Sequence, residues 1–192
     1  MKEGQNGVSA NTPKNILFGA GTIHKNLTYS ESSWNFVESI MGATNGGSKF
    51  SIVPELTDIA VDGALVATKG LKVKTGETAT MEINFAELTE EMIKAAAIAQ
   101  EGTSVDELYT MIESKASISE DDYFENIAFV GKTLDGRKII AILENALCTS
   151  GFEQEGKNKE GAVGKYTFTC HADIESDLDK LPWKIYYPKA TA

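Results

Sequence analysis

The sequence predicts a mainly β (α+β) fold: two packed antiparallel sheets, as a β-sandwich or partly closed barrel, with one or two inserted helices. Three observations carry this. The stretch "GKYTFTCHADIE" alternates, with Tyr166, Phe168, Cys170, Ala172 and Ile174 on one face. Lys165, Thr167, Thr169, His171, Asp173 and Glu175 fall on the other. "TATMEINF" repeats the pattern, setting Ala79, Met81, Ile83 and Phe85 against Thr78, Thr80, Glu82 and Asn84. Strand side chains point alternately to opposite faces, so each stretch reads as a strand buried on one side. Third, Asp62-Gly63 and Asp135-Gly136 stand between strand-like runs, where hairpin turns belong.

In chain order, Met1 to Lys14 is polar, with Gly4, Gly7 and Pro13, and buries too little to offset the entropy of ordering. Residues 1–26 are expected to form a flexible arm, 27–188 a single β domain with a helical insertion at about 88–118, and 189–192 a short tail. "NILFGAGTIHKN" offers a short apolar strand at Ile16–Phe18, broken by Gly19 and Gly21. Trp34, Phe36 and Ile40 precede a flexible tip at Asn45-Gly46-Gly47. In "FSIVPELTDIAVDG", Pro54 lacks an amide donor and belongs at a sheet edge, bulge or strand end.

"ELTEEMIKAAAIAQEG" has helical spacing at Leu88, Met92, Ala95, Ala96 and Ala99. Thr89 caps its start, Glu90 and Glu91 favour the positive end of the dipole, and Gly102 ends it. A second helix is expected at "SVDELYTMIES", where Ser104 and Glu107 have capping-box spacing and Leu108, Met111 and Ile112 form a stripe. "NIAFVGKTLDGRKIIAILENALCTSGFEQEG" reads as strand, turn, strand and a further strand-like piece at Phe152. Its Ile139–Leu147 run is apolar on both faces and should be covered on both. "LPWKIYYPKA" closes with a short strand or an aromatic-anchored tail.

The chain's 192 residues and 42% hydrophobic content allow a substantial core. No apolar run approaches the roughly 20 residues needed to span a bilayer. The N-terminus lacks a signal-peptide centre, so folding in a cytoplasm, or entry into a particle assembled there, is expected. Net charge is −10 and Arg137 is the sole arginine, which argues against tight nucleic-acid binding and suits repulsion from a polyanion.

Candidate chemistry is sparse. His171 and Asp173 stand two apart, but no serine occupies a GxSxG elbow. "GAGT" at 19–22 has His24 where a dinucleotide loop needs its third glycine. "SEDDYFE" lacks the alternating ligands and glycine of a calcium loop. Cys148 and Cys170 fit no metal spacing and read as buried free thiols. No catalytic, cofactor or metal site is assigned, and the chain reads as a non-enzyme. A competing reading is a β-sandwich carbohydrate- or protein-binding module with Trp183 and Tyr186 as stacking platforms.

The order of "NILFGAGTIHKN", "FSIVPELTDIAVDGALVATKG", "KTGETATMEINFAELTEEMIKAA" and "GKTLDGRKIIAILENALCTSGFEQEGKNKEGAVGKYTFTCHADIE" resembles the major tail proteins of long-tailed bacteriophages, the tail tube family. The likeness covers nearly the whole chain. Residues Thr103–Glu120 depart from it as an insertion, which with the length favours a non-contractile tail. The resemblance implies a homo-hexameric ring, stacked into a tube whose inner sheets join into one barrel. Genome DNA and the tape-measure protein would pass through, and a tail terminator would be a further partner; no cofactor or membrane is implied. The virion is then the expected location. Either Thr78, Thr80, Glu82 and Asn84, or Thr167, Thr169, His171 and Asp173, would face the lumen, with acidic charge near it repelling phosphates. Ile16, Leu17, Phe18 and Ile23 would order only against a neighbouring subunit or ring.

Overall fold

The computed structural model describes residues 7–156, 158–159 and 161–189. A short helix, α1 (Thr12–Asn15), leads into β1 (Leu17–Lys25), β2 (Tyr29–Ser30), β3 (Ser33–Trp34), β4 (Thr44–Asp58) and β5 (Lys72–Phe85). Helix α2 (Glu90–Ala97), β6 (Ala99–Gly102), β7 (Met111–Ser114) and a 3-10 turn (Glu120–Asp122) come next. The chain ends with β8 (Tyr123–Thr133), β9 (Lys138–Cys148), β10 (Gly164–Cys170) and β11 (Trp183–Tyr186).

Seven strands form one antiparallel sheet in the order β1-β8-β9-β10-β5-β4, with β11 also on β9. One flank of β9 is shared, by β11 along Ile140–Leu143 and by β10 along Ala146–Cys148. The sheet rolls up because a single extended segment links its two ends. His24 bridges Ile40, the Lys25 amide donates to the Ser39 carbonyl at 2.8 Å, and the Met41 amide donates to the Ile23 carbonyl at 3.0 Å. Just beyond, the Ala86 amide donates to the Ala43 carbonyl at 2.9 Å. The halves of the sheet therefore face each other across one core, the partly closed barrel form of a mainly β sandwich.

Ile23, Met81, Phe85, Ile127, Leu143 and Phe168 meet in that core, and α2 adds Met92, Ala95 and Ala96. Burying side chains of this size contributes about 1.5–3 kcal/mol each before entropy is counted. A second cluster, Ala128, Val130, Ile140 and Ile142 with Leu27, lies beneath Trp34 and Phe36. β9 is thus covered on both faces, as its sequence requires.

Several sequence expectations change. Residues 17–25 are not part of an arm: β1 is paired with β8, and Ile23 is 1% exposed inside its own chain's core. Ile16 is also tied to its own chain, its carbonyl accepting from the Leu134 amide at 3.0 Å, and residues 1–6 of the expected arm lie outside the described residues. The Asn45-Gly46-Gly47 stretch is a bulge inside β4. Gly46 and Gly47 have φ of 92° and 83°, which favours glycine, and the Asn84 amide donates to the Gly47 carbonyl at 3.1 Å.

Helix α2 begins as predicted, with the Met92 amide donating to Thr89 Oγ1 at 3.3 Å. It ends earlier than Gly102, at Ile98, whose φ is 49°. The second predicted helix does not form. Ser104 Oγ donates to the Asp106 carbonyl at 2.7 Å, and the Leu108 amide donates to Asp106 Oδ1 at 3.0 Å. These local bonds tie a turn instead of capping a helix, and 111–114 pairs with 99–102 as a ribbon. Phe152 lies in irregular chain, not in a strand. β10 stops at Cys170, leaving Ile174 87% exposed. Of the 189–192 tail, only Lys189 is described.

Candidate functional site

The outer surface of β5 combines both sets of residues singled out by alternation. Ala79, Met81, Ile83 and Phe85 point into the core, at most 1% exposed. Thr78, Thr80, Glu82 and Asn84 point away from it. The antiparallel register sets Thr167 beside Glu82, Thr169 beside Thr80 and Lys165 beside Asn84. On the other flank Lys49, Ser51 and Val53 stand beside Glu82, Thr80 and Thr78. Two straight rows result, Lys49–Glu82–Thr167 and Ser51–Thr80–Thr169. Thr149 extends the second, its hydroxyl 2.8 Å from that of Thr169. The alternative faces proposed from sequence are one continuous wall.

The wall is dominated by hydroxyls and is not strongly acidic. Lys49 Nζ lies 2.7 Å from Glu82 Oε1, and Lys165 is exposed nearby. The acids that follow β10, Asp173, Glu175, Asp177 and Asp179, stand in the loop beyond the strand's end and not on the wall. His171 and Asp173 leave the wall with the strand's end. His171 Nδ1 donates to the Thr169 carbonyl at 2.9 Å, and its ring meets Tyr123 edge-on at 5.4 Å. Asp173 Oδ1 accepts from the Glu175 amide at 2.9 Å, so these two residues serve local loop geometry.

At the wall's boundary, β4 is the last strand of the sheet order, fifteen residues long. Pro54 sits in it beside a bulge at Glu55/Leu56, as an edge position allows. An unpaired edge of this length is a template for strand addition. Beyond the wall, the β4–β5 hairpin extends through 59–71. Its Asp62-Gly63 turn forms, with the Ala64 amide donating to the Val61 carbonyl at 3.2 Å. Leu65 and Val66 at this tip are 97% and 78% exposed. Ile16, Leu17 and Phe18 are exposed too, unlike Ile23.

Other candidates resolve differently. Trp183 packs against the main core, while Tyr186 meets Trp34 edge-on at 4.9 Å, so the two do not form a single flat stacking surface. Cys148 and Cys170 are buried free thiols, and burial pushes the Cys170 thiol up to about 11. Among the described residues no group of His, Cys, Asp and Glu is placed to hold a metal ion, and no helix is long and apolar enough to cross a membrane.

Sequence reasoning missed the role of Arg137. Its guanidinium pairs with Asp135 at 2.7 Å, donates to the Lys14 carbonyl at 2.6 Å and reaches the Pro188 carbonyl at 3.5 Å. Tyr187 adds a hydroxyl bond to Asn15 Oδ1 at 2.9 Å. The segments around Lys14 and Pro188 are thereby gathered at the β8–β9 turn. Only the rarity of arginine hinted at a dedicated use. Compared with known proteins, the chain matches no protein-family model and no curated sequence.

Proposed function

We propose that this chain is the structural subunit of a bacteriophage tail tube, a non-enzymatic conduit for DNA. The observation that carries the reading is the polar wall of β4, β5 and β10 ending in the unpaired edge of β4. Edge-to-edge hydrogen bonding between copies would extend the wall and remove its exposed boundary. Six copies would close it into a cylinder with the Thr and Ser hydroxyls inward. Such a lining offers passing DNA few free cations, because Lys49 is held by Glu82. Sustained phosphate neutralisation, the source of salt-dependent retention, is thus limited.

The exposed hairpin at 59–71 and the apolar residues Ile16–Phe18 provide surfaces for contacts between rings. A tape-measure protein and a tail terminator are the partners this role calls for, with the virion as its location. Electron microscopy of the purified chain across a concentration series tests the reading. Rings or hollow rods are expected; uniform monomers at every concentration would refute it.

A further inference from the structure

The chain carries an apolar projection and an apolar groove at separate places, with unpaired charges of opposite sign. The projection is the turn of the β6–β7 ribbon. There Val105, Leu108 and Tyr109 are 105%, 87% and 71% exposed. Asp106 and Glu107 stand between them, and among the described residues neither carboxylate has a cationic partner. Solvent-exposed apolar side chains gathered at a ribbon tip contribute nothing to their own core and mark a contact surface.

The groove lies over the outer face of β1 and β8. Phe18, Phe36, Val37 and Ile40 line it, with Lys132 and Lys138 among its walls and about 430 Å³ of space. Lys138 Nζ sits 3.6 Å above the Phe36 ring, so its charge is held at the groove instead of being swept into solvent. Neither lysine has a carboxylate partner among the described residues. In a chain of net charge −10, two such lysines beside exposed aromatic surface form a specific attractor for an acidic apolar segment.

The projection does not fill its own molecule's groove. The ribbon's root adjoins the start of β8, where Ala99, Lys115 and Phe124 share one cleft. The groove is built around Val130 and Lys132, seven and nine residues further along β8. Seven residues of strand span about 23 Å, at ~3.3 Å each.

We infer that the 105–109 turn of one copy seats in the Phe18–Phe36–Val37–Ile40 groove of a second copy, with Asp106 and Glu107 facing Lys132 and Lys138. Projection and groove are different surfaces, so the contact is heterologous. Repetition generates a ring if the rotation closes and a filament if it does not. The inference rests on the self-assembly reading above and assigns a task to the insertion that sets this chain apart from the family it resembles.

Charge reversal on the full chain tests it. Glu107→Lys spoils the projection and leaves the groove; Lys132→Glu spoils the groove and leaves the projection. Each variant alone should raise the concentration for half-assembly at least about tenfold, as loss of a desolvated charge pair does. A mixture of the two should co-assemble in alternation, since Glu107 of the K132E variant meets Lys132 of the E107K variant, and at the other contact the two introduced charges, opposite in sign, meet each other. The double variant E107K/K132E should assemble again. Light scattering and sedimentation velocity read all four. If both single variants assemble like the parent chain, the inference fails while self-assembly stands. If the parent chain is itself monomeric throughout, both readings fail. If the double variant does not recover while circular dichroism shows it folded, the charge pairing is wrong.

Discussion

His24 shows how one buried polar side chain is held by its neighbours. It is 1% exposed, with Nε2 2.7 Å from Thr22 Oγ1 and Nδ1 2.8 Å from Ser39 Oγ. Ser39 donates its one proton to the Asn35 carbonyl, so Nδ1 of His24 donates to Ser39, and in the neutral ring Nε2 accepts from Thr22. Burial, then Lys138, lowers the ring's pKa below the ordinary value, and exposed Lys132 borders the same groove. Above about pH 6.5 both folded and unfolded chains carry neutral His24. Below it the unfolded chain binds a proton that the folded chain refuses, so stability falls with pH until the lowered folded pKa is passed. A His24→Gln variant should be less stable at pH 7 but should lose less on acidification from pH 7 to 5, in urea melts. An unchanged slope would show that His24 does not govern the acid response.

Arg137 acts at the same scale on a wider span. Replacing it with alanine removes its charge-assisted bonds to the carbonyls of Lys14 and Pro188, an expected loss of about 1–2 kcal/mol. Limited proteolysis should then cut before Leu17 and after Tyr187 faster than in the parent chain. Arg137→Lys should not restore protection, because a single ammonium cannot reproduce the planar fork. Protection equal to the parent's in both variants would place the anchoring of the termini elsewhere.

At the scale of elements, legibility followed periodicity. β5 and the first part of β10 were readable because every second residue meets the core, and the Asp135-Gly136 turn because Gly136 takes φ of 87°. The stretch Ser104–Ser114 misled because Ser, Asp and Glu at capping spacing serve equally well in tight turns. What decided the outcome was pairing of Met111–Ser114 with Ala99–Gly102, a tertiary fact that no local pattern encodes. The arm boundary was misplaced for a related reason. Gly19 and Gly21 look like breakers, yet Gly21 is required where a Cβ would come within 2.4 Å of the Phe129 ring. The β4–β5 hairpin carries its own expectation. Replacing residues 60–70 with a short turn should leave a folded chain, because Leu65 and Val66 touch no core, and, if the proposed tube forms, should yield single rings in place of rods. Rods of normal length from such a variant, seen by electron microscopy, would exclude the tip from stacking.

For the whole molecule, the rolled sheet depends on residues distant in sequence. β1 pairs with β8 across about a hundred residues, and the link through 39–44 has no periodic signature, so the fold class was visible in the sequence but the closure was not. The two candidate polar faces were both legible; their union required the register of β5 against β10. Net charge was legible as a sum and misleading as a distribution. Acids gather in the loop after β10 and at the ribbon turn, while the wall keeps hydroxyls. If copies join along that wall, negative potential would concentrate at a mouth, within roughly 8–10 Å of the charges, and leave the bore nearly neutral. DNA would then be deterred from lingering at the entrance without being gripped inside.

Because a single guanidinium touches the carbonyls of Lys14 and Pro188, the segments before β1 and after β11 are neighbours in space. Joining these two segments by a short linker and reopening the chain at the exposed 59–71 tip would reorder the sequence without disturbing any rung of the main sheet.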